Sequence, residues 1–173
     1  MARLRTRDES ELDEDTLAAL APVRASGAAI APVYREYAAS EPALRAYLGM
    51  EAAVRDGSLA TREVEAIKLL VSGRLACAFC STVHAAKGRR AGLDDAALEA
   101  IVAGRPVGEP RLDAMLHLVT TLLARPGPLT DDEVTAARAA GLDDANLVDL
   151  TLAAATIFFT NITNHVNDTR LPG

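Results

Sequence analysis

The chain has 173 residues, a formal charge of −6 and an isoelectric point near 5.1; half of it is hydrophobic, yet only 3 % is aromatic and Trp is absent. That length suits one domain with a core of its own, and an interior of Ala and Leu suits close-packed helices. The acidic balance excludes nucleic acid as a partner, since little would offset phosphate charge, and disfavours an anionic membrane surface.

Residues 1–14 are charge-dense and read as a mobile tail ahead of a single helical domain over residues 15–173. This stretch lacks the apolar segment of a secretory signal and is too acidic for a transit peptide, so the expected location is the cytoplasm. Asp15 or Thr16 caps a first helix to about Ser26, and a second covers Ala29–Ala38, where Pro32 suits only the first turn. Ser40 caps a third, with Pro42 near its start and Gly57 at its end. Thr61 opens a fourth, with Glu63 and Glu65 in its first turn, that weakens at Gly73. A fifth carries Cys77 and Cys80 from about Ala76 to Arg90 and stops at Gly92. Asp94 caps Asp95–Val102, and Pro106 and Pro110 mark the next loop. Leu112–Ala124 is amphipathic, with Leu112, Met115, Leu116, Val119 and Leu122 or Leu123 on one side. After Pro126-Gly127-Pro128, Thr130 with Asp131, Asp132 and Glu133 starts a helix that ends at Gly141. Asp143 or Asp144 caps the last, which runs to about Asp168. No segment alternates at period two, so the fold class is all-α. The longest apolar run, Leu152–Phe159, is too short to span a membrane. The heptapeptide from Arg90 to Ala96, RAGLDDA, is echoed from Ala139 to Ala145 as AAGLDDA: either a common turn used twice or a duplicated helix–turn–helix unit.

The reactive groups concentrate in one stretch. Cys77 and Cys80, the only cysteines, form a C-x-x-C; His84 follows one turn later, and Glu65 precedes by twelve residues. Two thiols at this spacing can close and reopen a disulfide, while an imidazole and a carboxylate move the protons. In a cytoplasmic chain such a pair points to redox or metal chemistry rather than a staple. On one helix Cys80 and His84 share a face. Glu65 would stand about 18 Å from Cys77 if the helix were continuous, so the chemistry requires a break near Gly73 that folds the Glu65 helix back beside the thiols. The break also puts Cys77 and Cys80 in a first helical turn, where free N–H groups favour thiolate. The competing reading is structural zinc held by Cys77, Cys80, His84 and Glu65, or a redox-sensing module without turnover. It is disfavoured because three of the four ligands crowd one helix and no second ligand pair follows. A thioredoxin-like function lacks its βαβ context.

The pattern Glu65-x11-Cys77-x2-Cys80-x3-His84, with its flanks LATREVEAIKLL and HAAKGRRAGLDDAALEAI and the closing FFTNITNHVNDT, resembles the alkylhydroperoxidase D-like branch of the carboxymuconolactone decarboxylase family. The resemblance runs from about Pro42 to Asp168. It implies an alkylhydroperoxidase D-like helical bundle, assembled as trimers or hexamers, that reduces hydroperoxides with thiols. It implies Cys80 as the peroxidatic thiolate, Cys77 as the resolving thiol, and Glu65 with His84 as the proton relay. No tightly bound cofactor is implied; an external dithiol, such as dihydrolipoamide on a lipoyl carrier protein, would restore the thiols. The decarboxylase branch works without the cysteine pair, so the alternative is an enzyme of another substrate class, acting on a lactone or keto acid. One departure stands out: the residue before the second cysteine, His in the best-known peroxidases, is Phe79.

Elsewhere, His117 in its apolar helix reads as a half-buried, satisfied histidine. His165, with Asn161, Asn164 and Asp168, makes a polar face of the last helix that reads as solvated or subunit-contacting. Tyr34, Tyr37 and Tyr47 read as core packing. Leu147–Phe159, apolar nearly all round, reads as central or buried between subunits. The Asn-x-Thr triplets at Asn161 and Asn167 match the glycosylation pattern by chance in a chain expected to stay inside the cell.

Overall fold

The computed structural model describes residues 3–25 and 30–171. Among them all regular structure is helical: α1 (Glu14–Ala25), α2 (Pro32–Tyr37), α3 (Glu41–Asp56), α4 (Thr61–Arg74), α5 (Ala78–Arg90), α6 (Asp95–Ala103), α7 (Pro110–Ala124), α8 (Asp131–Ala139) and α9 (Asp144–Asn167), with one turn of 3-10 helix at Glu9–Glu11. The expected end of the first helix at Ser26 and start of the second at Ala29 lie outside the described residues.

α4 is the centre. Every residue from Val64 to Ser72 is buried, and α5, α6, α7 and α9 all pack on it. A helix covered on all sides can hold a charge only if a partner comes with it. Both charges inside this run have one: Glu65 meets His84, and Lys68 meets Glu51 of α3. Gly73 lets α4 and α6 approach closely. A Cβ there would stand 2.9 Å from the Val102 carbonyl oxygen. A second apolar cluster joins Leu12, Leu20, Tyr37, Leu44 and Tyr47 to Phe159 of α9. Tyr37, Tyr47 and Phe159 meet with ring centroids 5.0–5.6 Å apart, so these tyrosines pack as expected.

The segment read as a mobile tail makes specific contacts from residue 3 onward. Arg3 N–H donates to the Asn167 carbonyl and Leu4 N–H to Asn167 Oδ1 at 2.6 Å. Leu12 enters the second cluster. Arg5 pairs with Glu11 within the segment, and Glu9 pairs with Arg24 of α1.

α9 has 24 residues and a mean hydropathy of 1.4 over its most apolar stretch, enough by length and composition to cross a bilayer. In the fold one face is instead packed against α3 and α4 through Leu150, Ala153, Thr156, Ile157 and Asn161. The helix is longer than the apolar run within it because Asn161 and Asn164 continue the buried face. The opposite face, with Val148, Phe158, Ile162 and Val166, is exposed, so α9 is half covered rather than enclosed by this chain.

The repeated turn has one geometry in both places. Gly92 and Gly141 take φ of 95° and 87°, and the following Leu93 and Leu142 donate back to Gly88 and Ala137. Asp94 and Asp143 then cap α6 and α9. This is a Schellman turn followed by an N-cap, so turn chemistry accounts for the echo.

Candidate active site

The break between the Glu65 helix and the cysteine helix exists, three residues later than Gly73. α4 continues through Arg74, and the chain turns at Ala76, whose φ of 53° is left-handed. Cys77 N–H then donates 3.0 Å to the Ser72 carbonyl, and Ala76 N–H to that of Gly73. These bonds close α4 as a Schellman motif does, with Ala where Gly is usual. Gly73 itself is helical; its small size serves the α6 contact. α5 therefore starts at Ala78, with Cys77 as its N-cap.

That position makes Cys77 the more acidic thiol of the pair. Its Sγ stands 2.6 Å from Cys80 Sγ and accepts the Cys80 backbone N–H at 3.3 Å. The hydrogen bond from Cys80 lowers the Cys77 pKa from its usual 9.0 to about 6; the helix N–H and the nearby His165 pull the same way, against burial. The same contact, together with burial, pushes Cys80 up, and the Asn164 amide opposes the rise. One proton is shared between two sulfurs, and the resting negative charge sits on Cys77. The leading cause is the hydrogen bond between the two sulfurs, to which the helix N–H adds.

His84 lies one turn after Cys80 on α5, and its Nδ1 is 2.7 Å from Glu65 Oε2. Both residues are buried. Burial pulls the His84 pKa below 6.5, and Glu65 offsets this only in part. A carboxylate can only accept, so Nδ1 carries the hydrogen and Nε2 presents a lone pair. Glu65 thus orients a neutral base, the role the third member plays in any nucleophile–base–orienter set. Beyond Glu65 a cavity of about 730 Å³ opens between α1, α3 and α4, with Lys68 and Glu51 also in its wall. The relay therefore has one end at a cavity and the other on the thiol helix.

The four residues singled out in the sequence form two hydrogen-bonded pairs, Cys77 with Cys80 and Glu65 with His84, linked through α5 by the one turn from Cys80 to His84. Among the described residues no group of three or more His, Cys, Asp or Glu is arranged to hold a metal. Phe79 packs against the core, so the position before Cys80 carries no proton-transfer group. His117 is exposed on α7 rather than half-buried. The polar face of α9 is not a solvated one: Asn161 and Asn164 are buried, and Asn164 Nδ2 lies 3.1 Å from Cys80 Sγ. Only His165 of that group is exposed, its Nε2–H donating to the Leu75 carbonyl at 2.8 Å beside the cysteine turn. Two contacts went unread in the sequence. One is the contact of Asn164 with the thiols, since the sequence placed this residue only on a solvated or subunit-contacting face; its signal is a pair of amides at i and i+3 on the core-facing side of an apolar helix. The other is the Lys68–Glu51 pair, to which Tyr47 O–H adds a bond at 2.9 Å; its signal is a lysine inside an apolar run.

The fold recurs in solved structures. An uncharacterised peroxidase-related protein from Ralstonia eutropha JMP134, described as an alkylhydroperoxidase AhpD core, aligns with a TM-score of 0.85 at 19 % identity, covering 99 % of this chain and 92 % of its own. A protein of unknown function from Agrobacterium tumefaciens, provisionally described as an AhpD antioxidant-defence protein, aligns at 0.69 with 26 % identity over 78 % of this chain and 94 % of its own. The debrominase Bmp8 aligns at 0.77 with 12 % identity over 99 % and 92 %. No curated protein matches the sequence. Residues 41–121, which hold Glu65, both cysteines and His84, match the model of the carboxymuconolactone decarboxylase family, and the bundle around them is similar to that of the AhpD-like structures.

Proposed function

We propose that the protein is a thiol-dependent peroxidase that reduces hydroperoxides through a Cys77–Cys80 dithiol. The observation that carries this reading is the pair of buried sulfurs 2.6 Å apart, on the helix that also bears a base oriented by Glu65. The family match supports an enzyme on this fold, and the AhpD-like neighbours support a peroxidase-related setting. The substrate and the division of labour are our reading.

His84 Nε2 takes the shared proton, leaving a thiolate on Cys80. That sulfur attacks the terminal oxygen of the hydroperoxide: the S–O bond forms, the O–O bond breaks, and the alkoxide leaves with the proton from His84 as alcohol. Cys80 is now a sulfenic acid. Cys77, already a thiolate at rest because its pKa is lowered, attacks Cys80. The disulfide forms, the S–O bond breaks, and hydroxide leaves and takes a proton from solvent to become water. Sulfur has lost two electrons and the peroxide has gained them. An external dithiol, of the dihydrolipoamide class and carried on a lipoyl protein, returns the pair to the reduced state. Phe79 removes one proton donor expected at such a site, so the relay runs through His84 and Glu65 alone.

The test is peroxide consumption with a dithiol reductant, read together with protein mass. Wild type consumes peroxide, and without reductant its mass falls by two hydrogens. Cys80→Ser abolishes turnover, while Cys77→Ser accumulates a sulfenic acid on Cys80. The resting charge on Cys77 makes this experiment decisive for the roles: a sulfenic acid trapped on Cys77 in Cys80→Ser would reverse them. Full activity after loss of both cysteines would sink the reading and place the chain among enzymes of other substrates, as the debrominase shows the fold can host.

The partners follow the same reading. The exposed face of α9 supports a homo-oligomer, a trimer or hexamer by resemblance, with Val148, Phe158, Ile162 and Val166 in the contact.

A further inference from the structure

We propose that Asn164 is a catalytic residue that holds Cys80 with the N–H end of its amide and the oxygen arriving on that sulfur with the C=O end. The proposal rests on the thiol-peroxidase reading above and adds a third group to its chemistry.

Asn164 comes from α9, 84 residues beyond Cys80, and is 2 % exposed. Its Nδ2 donates to Cys80 Sγ at 3.1 Å. Its Oδ1 is buried and has no hydrogen-bond partner among the described residues. A buried amide oxygen without a partner destabilises a fold, and an aliphatic side chain would fill the same space without that penalty. Asn161, one turn earlier on the same face, also leaves its Oδ1 buried without a partner among the described residues, and the two differ in what the NH2 reaches. Asn161 Nδ2 donates to the Ile157 carbonyl at 2.8 Å and to Ser72 Oγ at 3.3 Å, so it ties helix to helix and touches no sulfur. Asn164 has no such structural use for its NH2, which is aimed at the reacting atom.

The chemistry matches both ends of the amide. A donor on sulfur stabilises thiolate over thiol, and Asn164 is the group that opposes the upward push on Cys80. When that thiolate attacks, the S–O bond forms as the O–O bond breaks, and the transferred oxygen keeps its hydrogen. A sulfenic acid then presents an acceptor sulfur and a donor O–H on adjacent atoms. An amide presents a donor and an acceptor side by side. Oδ1 takes the sulfenic O–H, turning the oxygen to one side of the sulfur and leaving the other free for Cys77, whose attack expels the oxygen as water. The unpaired carbonyl of the resting state is thus the vacant half of a two-point clamp that fills during turnover.

The test uses the Cys77→Ser background, where Cys80 is the only thiol and no second sulfur shares its proton. The pH dependence of Cys80 alkylation gives its midpoint. Asn164→Ala raises that midpoint by about one unit, slowing alkylation about tenfold at a fixed pH below it. The sulfenic acid formed by one equivalent of peroxide also decays faster. Asn164→Asp keeps the shape but replaces the donor with a carboxylate; it raises the midpoint at least as far and serves if the alanine variant does not fold. Asn161→Ala leaves the midpoint in place. A midpoint unchanged in both Asn164 variants, with wild-type helical circular dichroism, overturns the proposal. The parent reading fails separately: if the protein carrying both cysteines consumes no hydroperoxide, the peroxidase assignment falls whatever the midpoint does. If it consumes peroxide while the midpoint stays fixed, only the role of Asn164 falls.

Discussion

His84 pairs with a carboxylate and is nevertheless held neutral, because burial outweighs the attraction of Glu65. Two predictions belong to this residue. In the unfolded chain the imidazole takes up a proton near pH 6.5, whereas in the fold it resists doing so. The unfolded state therefore binds more protons below that pH, and stability, full above pH 6.5, is lost as the pH falls through the lower native value. Urea midpoints measured from pH 5 to 8 should decline on the acid side in wild type and flatten in His84→Gln. A midpoint that rises on acidification would mean the ring is charged in the fold. The second concerns Glu65. Glu65→Gln keeps the shape, but an amide can donate as well as accept, so it no longer fixes which imidazole nitrogen carries the hydrogen. Turnover should drop about 10²-fold, the lower end of what a positioned base contributes, with helical content unchanged. Wild-type turnover in this variant would remove Glu65 from the relay.

Between residues and fold stands the turn from α4 to α5, which fixes the distance between carboxylate and thiols. The need for a break was legible in the sequence, because a continuous helix could not bring Glu65 to Cys77. Its position was not. Gly73 is the residue with the greater freedom, yet the left-handed turn falls on Ala76, because Gly73 is committed to the backbone of α6, where Val102 leaves no room for a methyl group. Tertiary packing overrode local preference, and one sequence does not display its packing partners. The same reasoning covers Asn164: four reactive residues could be read from spacing within one stretch, but an amide 84 positions away is visible only when α9 lies on α5. Two substitutions separate these demands. Ala76→Gly relieves a left-handed alanine and should stabilise the fold by about 1 kcal/mol. Gly73→Ala forces a Cβ against the Val102 carbonyl and should cost about 1–3 kcal/mol. Thermal denaturation of both variants checks the pair. If Ala76→Gly destabilised and Gly73→Ala did not, the break would lie at Gly73 after all.

At the scale of the molecule, the apolar stripe on α9 asks for cover. Val148, Phe158, Ile162 and Val166 recur on one side of the helix and are 38–66 % exposed. Because each is already partly covered, burying the rest is worth about 1 kcal/mol per residue, or on the order of 8 kcal/mol when two copies each contribute four. The loss of rigid-body freedom on association is of similar size, about 4–15 kcal/mol, so the contact holds by a thin margin. A formal charge of −6 on each copy narrows it further, and salt should strengthen association by screening that repulsion. A thin margin makes single changes decisive. Phe158→Glu or Ile162→Glu places an unpaired carboxylate in the centre of the stripe and should give monomers by light scattering, with helical circular dichroism preserved because neither side chain belongs to the buried face of α9. Val148→Glu, nearer the N-terminal end of the helix, should weaken the assembly less. An oligomer mass unchanged by both central substitutions would move the interface to another surface. Because Asn164 and His165 lie between Ile162 and Val166 and reach the cysteine turn, dissociation should also lower peroxide turnover even though no substituted residue touches a sulfur.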